Sequence, residues 1–318
     1  MSNPNWLPLA NTPEEFQAVV KQESLFSGAI PHILEIHQLQ VNSISRYSKG
    51  SLVVYALGKD YAIKLYPPCF QQDYEKESLV LNYLQGRLSL PTPKIYYSGE
   101  LECWKYLIMS QIQGSDWNFF WKDWGLSQKI AMSEQLGAEI ASMHRLPIHS
   151  LGELKMDWNQ FVKTQKENAK NRQRSLGLSE VWLEQIDPFL NQVNLKLDQK
   201  VPLVLLHTEL MRDHVFAQKD EQSFRLSGLI DFEPSMLGAA EYEFSSVGLF
   251  ISSGQAEVLR GFCRGYGYAD HSLDESLQYR FLAYTLLHRY SHFPWYLSFM
   301  PTLPQQKLEI LAKMWWAL

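Results

Sequence analysis

The chain has 318 residues, 46% of them hydrophobic, and a formal net charge of −5 at pH 7. That supports a core divided over two lobes, and with no clustered basic face it excludes a nucleic-acid footprint. Three Cys, at 69, 103 and 263, match neither a disulfide framework nor a zinc spacing. With no basic and apolar leader, and no apolar run near ~18 residues, a cytoplasmic protein without a membrane span is expected.

Thr12-Pro13-Glu14-Glu15 has the pattern of a helix start: a capping Thr, Pro in the first turn, and Glu three places after the cap. Residues 43–66 predict two strands, Leu52–Leu57 and Tyr61–Tyr66, turning at Gly58-Lys59-Asp60. Residues 71–88 carry helical spacing through Leu81 and Leu84 and end near Gly86, and residues 91–101 and 105–112 predict two more strands. The first ~110 residues therefore read as strand-rich with one inserted helix. From Gly114 the character changes, which divides the chain into residues 1–112 and 113–318. A long helix is expected over 126–146, with Ile130, Leu136, Ile140 and Met143 on one side, and charged, helix-prone sequence runs from Met156 to Lys200. An apolar strand, Val201–Leu206, leads into a polar loop holding His207, Glu209, Arg212, Asp213 and His214. Two strands follow, Val215–Ala217 and Phe224–Ile230, and after Met236 the pattern is helical to the end.

The last strand ends in Asp231, at the same end of the hairpin as the loop acid. Two carboxylates there repel unless a cation or a proton lies between them. A divalent metal carrying phosphates meets that demand. Lys64 sits on a strand that follows the turn containing Gly50, and Glu77 (or Glu75) lies on the helix after it. A strand Lys held by a helix Glu is how kinases place a cation on nucleotide phosphates.

His207-Thr208-Glu209-Leu210-Met211-Arg212-Asp213-His214 and Ile230-Asp231-Phe232-Glu233 resemble the H-G-D-L-x-x-x-N and I-D-W/F-E motifs of the aminoglycoside phosphotransferase and choline kinase-like family of small-molecule kinases. Gly238-Ala239-Ala240-Glu241-Tyr242-Glu243-Phe244 is similar to its later G-D-P-x-x-D-L-A motif, and residues 106–117 to its hinge. The resemblance spans roughly residues 45–250, and within the family the hinge region and residues 286–297 look nearest to the hygromycin kinases.

The resemblance implies an α+β, protein-kinase-like bilobal fold with ATP between a strand-rich N-lobe and a helical C-lobe. It implies transfer of the γ-phosphate of ATP to a hydroxyl of a small molecule with Mg2+, Mn2+ being the alternative ion. Glu209 takes the position of the catalytic Asp, and His207 and Glu243 brace its loop. Lys64 holds phosphates and Glu77 holds Lys64, whose side chain is expected in a wet cleft. Gly50 forms the turn by the nucleotide, Ser110 and Ile112 offer backbone groups to adenine, and Asp231 binds metal. Three positions depart from the pattern: Glu209 for Asp, Thr208 for Gly, and His214 for the Asn that ligates metal. Imidazole is a poor ligand for Mg2+, so His214 is expected to brace the loop, with a place beside Asp231 on the metal, Mn2+ rather than Mg2+, as the alternative. The departures leave open a nucleotide-binding regulator without turnover, or nucleotidyl transfer. The aromatic segments Trp117–Trp124 and His292–Phe299 are expected mostly in the core, with a minority lining an acceptor pocket.

Overall fold

The computed structural model describes residues 6–48, 50–195, 202–221, 223–300 and 303–318. Val201, the end of the charged run at 196–200, and residues 1–5 of the N-terminal stretch lie outside the described residues. The chain forms two compact units: residues 1–87, 91–112 and 229–234 make the first, and residues 88–90, 113–228 and 235–318 the second. The segment 229–234, which the sequence assigns to the C-terminal half, packs with the first unit because Phe232 is buried there and its N–H donates to Glu77 Oε1 at 3.3 Å.

In the first unit, α1 (Pro13–Val19) opens with a complete capping box. The Thr12 hydroxyl accepts from Glu15 N–H, and the Glu15 carboxylate reaches back to the cap backbone. A second helix, α2 (Glu23–Ile36), was not expected. Its Pro31 reads as a breaker, and no side chain caps its start, yet Phe26, Ala29, Ile30, Ile33 and Leu34 recur at helical spacing and are all buried. The sheet is antiparallel, in the order β1 (Ile44–Arg46), β2 (Val53–Leu57), β3 (Tyr61–Tyr66), β5 (Trp104–Ser110), β4 (Ile95–Leu101). β1 is the strand the sequence did not announce: three largely exposed residues have no apolar alternation to read. α3 (Gln71–Leu84) follows β3. Fully buried Trp104 packs its ring against Phe16 and Phe26, and its Nε1–H donates to Pro8 O.

The second unit is mainly helical. α4 (Trp117–Trp121), α5 (Leu126–His144), α6 (Trp158–Ser175) and α7 (Glu180–Gln192) precede a strand, β7 (Leu203–Leu206). α5 lies so close to a later helix, α9 (Ala256–Tyr266), that only glycine fits at two crossings. A Cβ on Gly137 would meet Phe262 O at 2.1 Å, and one on Gly265 would meet Glu134 O at 1.9 Å. The expected helical start after Met236 is corrected by a strand, β10 (Met236–Ala239), which pairs antiparallel with β7 and is wholly buried. A residue run buried on both faces has neither helical nor alternating periodicity. A second small sheet takes β8 (Val215–Lys219) between β6 (Ser115–Asp116) and β9 (Phe224–Leu229). The chain continues through α8 (Ala240–Ser246), a π-helical turn at Val247–Ser252, α9, α10 (Glu275–Leu287), α11 (Phe293–Ser298) and α12 (Leu308–Trp315).

Candidate active site

The first unit assembles a charge cluster around Lys64. Residues of β3 alternate across the sheet, so Lys64 and Tyr66 share a face. Lys64 Nζ donates to Glu77 Oε2 at 2.8 Å and Asp231 Oδ1 at 2.7 Å. Glu233 Oε2 lies 2.6 Å away as an ionic contact without hydrogen-bond alignment. Tyr66 OH donates to Glu77 Oε2 at 2.5 Å, and Ser51 Oγ to Glu233 Oε1 at 3.4 Å. The partner of Lys64 is thus Glu77 and not Glu75, and the lysine is 7% exposed, against the expected wet position. One acid on a helix, Glu77, and two on the loop after β9, Asp231 and Glu233, surround it together.

One ammonium facing three carboxylates leaves negative charge in excess. Burial by itself would push the Lys64 ammonium down; Asp231, Glu233 and Glu77 reverse that and hold it well above its ordinary range. Glu233 responds in the opposite direction. Burial first, then Asp231 and Glu77, raise its carboxyl to about 8 despite the Lys64 charge. Oxygens of Glu77, Asp231 and Glu233 lie within 4.8 Å of one another, an all-oxygen donor set of the kind hard divalent cations take. Excess charge and donor type both fit Mg2+ better than an imidazole-rich site would. Asp231 also has φ of +73°, a conformation that L residues other than Asn and Asp adopt rarely.

The second unit shapes the loop after β7. Because β7 pairs with β10 and α8 follows directly, the α8 acid Glu243 lies beneath the loop. Its carboxylate is fully buried and accepts the His207 N–H at 2.6 Å and the Thr208 N–H at 2.8 Å. These two bonds hold Thr208 at φ +72°, a left-handed conformation that is costly for a β-branched residue and free for glycine. The threonine at the position of the family glycine therefore holds a backbone that glycine would adopt freely. His207 is buried, and its Nδ1 accepts the Glu209 N–H at 3.3 Å, a bracing contact. His214 Nδ1 lies 2.8 Å from the Glu209 carbonyl oxygen, so that nitrogen donates to the loop. Arg212 stacks over Trp121 and bonds to Ile251 O and Ser253 Oγ; burial lowers it to about 10, and Asp213 opposes the shift. Beside half-buried Glu209 opens a cavity of about 210 Å³.

On the edge expected to receive adenine, the Ser110 N–H donates to Lys94 O and its Oγ accepts the Lys94 N–H, while Gln111 N–H donates to Asp60 O. Among the described residues nothing accepts from the Ile112 N–H. Gly50 has φ of +113°, a turn that glycine makes without strain, and is exposed. Sequence reasoning gave no role to Glu233 or Tyr66. The signals were present: Glu233 is the last residue of the Ile230–Glu233 motif, and Tyr66 is two places from Lys64 on one strand face.

The model of the phosphotransferase enzyme family matches residues 43–277. No curated protein matches the sequence. Among solved structures, a GDP complex of wild-type aminoglycoside 2'-phosphotransferase-IIIa is similar with a TM-score of 0.68 and 14% identity, over 86% of this chain and 95% of that one. The streptomycin–ATP ternary complex of APH(2")-IIa gives 0.62 and 15% over 91% and 97%. Macrolide 2'-phosphotransferase MphH from Brachybacterium faecium gives 0.58 and 15% over 87% and 99%. At such identity these structures share the fold, and acceptor and nucleotide are not inherited from them.

Proposed function

Because the chain belongs to the phosphotransferase enzyme family and is a kinase, we propose that it moves the γ-phosphoryl group of ATP to a hydroxyl of a small molecule. The observation that carries this reading is the buried Lys64 ammonium, 2.8 Å from Glu77 and 2.7 Å from Asp231. A cation locked by a helix acid and next to a loop acid is the device that nucleotide phosphates require.

In this reading Lys64 leaves Asp231 and Glu233 on nucleotide binding and turns to phosphate oxygens, while Glu77 and the Tyr66 hydroxyl keep its stem in place. The Ile112 N–H, for which no acceptor is found among the described residues, is the donor this reading offers to adenine. Asp231 and Glu233 would hold a divalent cation, which when bound supplies neutralisation of phosphate charge. Glu209 accepts the proton of the acceptor hydroxyl as its oxygen forms the new bond to the γ-phosphorus. The bridging oxygen–phosphorus bond breaks in line, and ADP leaves with that electron pair. His207 and His214 fix the Glu209 backbone, so the extra methylene of Glu over Asp is matched by a tied loop. Positioning within a fraction of an ångström decides such rates. His214 serves as brace and not ligand, a role supported by its Nδ1 contact to the Glu209 carbonyl.

The test is a melting-temperature shift with ATP and Mg2+, followed by ADP release over a panel of hydroxylated compounds. A shift with ADP release dependent on an acceptor supports the reading. Absence of any nucleotide-dependent shift refutes it.

A further inference from the structure

The cavity beside Glu209 says what kind of acceptor fits. Its rim and wall include Leu249, Phe250, Tyr290, Trp295 and Tyr296, and Glu209 is the one carboxylate among its described lining residues. His288 also lines it and is neutral, because burial first and Arg289 second push its imidazole down to about 3. Behind the wall stand two cations. Arg172 donates to His288 O at 2.6 Å, and Arg289 donates to Thr208 Oγ1 at 3.4 Å. Neither has a carboxylate within ion-pair distance among the described residues.

The aromatic part is built and partly uncovered. The Phe250 ring centroid is 5.6 Å from that of Trp295 and 5.9 Å from that of Tyr296, and Phe299 joins them at 6.2 Å. Trp295 remains 48% exposed and Tyr290 53%. Phe250 comes from the π-helical turn, a rare geometry concentrated at functional sites. That turn is pinned from outside: a Cβ on Gly248 would collide with Trp316 Nε1 at 2.0 Å, and Arg212 bonds to Ile251 O and Ser253 Oγ.

We propose, resting on the reading that Glu209 receives the acceptor hydroxyl, that the acceptor is an uncharged alcohol with a flat apolar face and not a polycationic amine. Each ammonium of a polycation needs a carboxylate when it leaves water. This wall supplies one, already engaged with the reacting hydroxyl, and sets two guanidinium groups behind it. A pyranoside or aryl ring lies on the Phe250–Trp295–Tyr296 surface and places its hydroxyl at Glu209. At about 210 Å³ the cavity takes one ring, below the roughly 300–1,000 Å³ of pockets for drug-sized ligands.

Binding without nucleotide separates this inference from the kinase reading. Calorimetry on the full chain compares phenyl β-D-glucopyranoside, thymidine and kanamycin A, with wild type and Trp295→Ala. The exposed Trp295 ring makes that variant compatible with an unchanged melting temperature, and Phe250→Leu provides a second, volume-conserving probe. At least one uncharged probe is expected to bind at least tenfold tighter than kanamycin A, and to lose tenfold or more in Trp295→Ala. Tighter binding of kanamycin A, no binding of either uncharged probe, or affinity indifferent to both substitutions overturns the inference. Nucleotide affinity, measured separately on the same preparations, reports on the kinase reading alone.

Discussion

Replacing Glu233 by Gln removes one titrating carboxyl from the Lys64 cluster while keeping its shape, and the structure gives the sign of the effect and its approximate scale. Folded Glu233 keeps its proton to about pH 8, because burial and its two acid neighbours outweigh Lys64, whereas an ordinary glutamate loses it near 4.5. Between those values the unfolded chain releases a proton that the folded protein retains, so stability falls as pH rises. Each step of one pH unit costs about 1.4 kcal/mol. The accumulated cost is about 3 kcal/mol at pH 7 and levels off above pH ~8. Since the side chain is 15% exposed and shares its protons with neighbours, half that amount is enough to count. Glu233→Gln lacks this slope. It should match wild type near pH 4.5 and exceed it progressively to pH 8, in urea unfolding followed at pH 5, 6, 7 and 8. Mg2+ added to wild type at pH 8 should recover part of the loss and do less for the variant. A separation between the two proteins that stays constant across this range would refute the charge-excess argument.

Lys64→Ala should weaken ATP binding and also lower stability, by about 3–5 kcal/mol as for a broken buried ion pair, since three carboxylates then face one another; wild-type melting with wild-type affinity would remove Lys64 from the site. Glu209→Gln is expected to lower phosphoryl transfer about 10²–10⁴-fold with nucleotide affinity kept, and undiminished ADP production contradicts its role. Thr208→Gly should hold or raise stability by up to about 1 kcal/mol, because relief of the left-handed threonine outweighs the added freedom of the unfolded chain; a clear loss in urea unfolding would show that the hydroxyl matters more than the backbone. His214→Asn should keep turnover in Mg2+ and Mn2+ alike, and loss confined to Mn2+ identifies the imidazole as a ligand.

Legibility followed period and punctuation. β2, β3, α3 and α5 carry alternation or helical spacing between turn residues, and they stand where the pattern puts them. β1 and β10 lack a period, the first from exposure and the second from complete burial, and α2 hides behind Pro31. At the site, Lys64, Glu77 and Asp231 were identifiable by motif, but the burial of Lys64 and Glu77 was not. A lysine reads as a solvated group until the acids that enclose it are known to converge from a helix and a distant loop. Of the aromatic wall, Trp295 and Tyr296 fall in the segment expected in part to line an acceptor pocket, while Phe250 was opaque, since nothing in residues 247–252 announces a π-helical turn.

The first unit is discontinuous, and that limits how this chain can be divided. A fragment ending at residue 112 has Lys64 and Glu77 but not residues 229–234, which bring Asp231, Glu233 and the buried Phe232 ring. Such a fragment keeps one of the lysine's three acid partners and exposes the surface that Phe232 covers. Truncation tolerance follows burial and hydrogen bonding rather than position along the chain. A gene split at the hinge would thus yield a half whose charge cluster closes only when the other half supplies six residues from its middle. Complementation between two such fragments, scored by nucleotide affinity, would depend on that short insert more than on the hinge where they were cut.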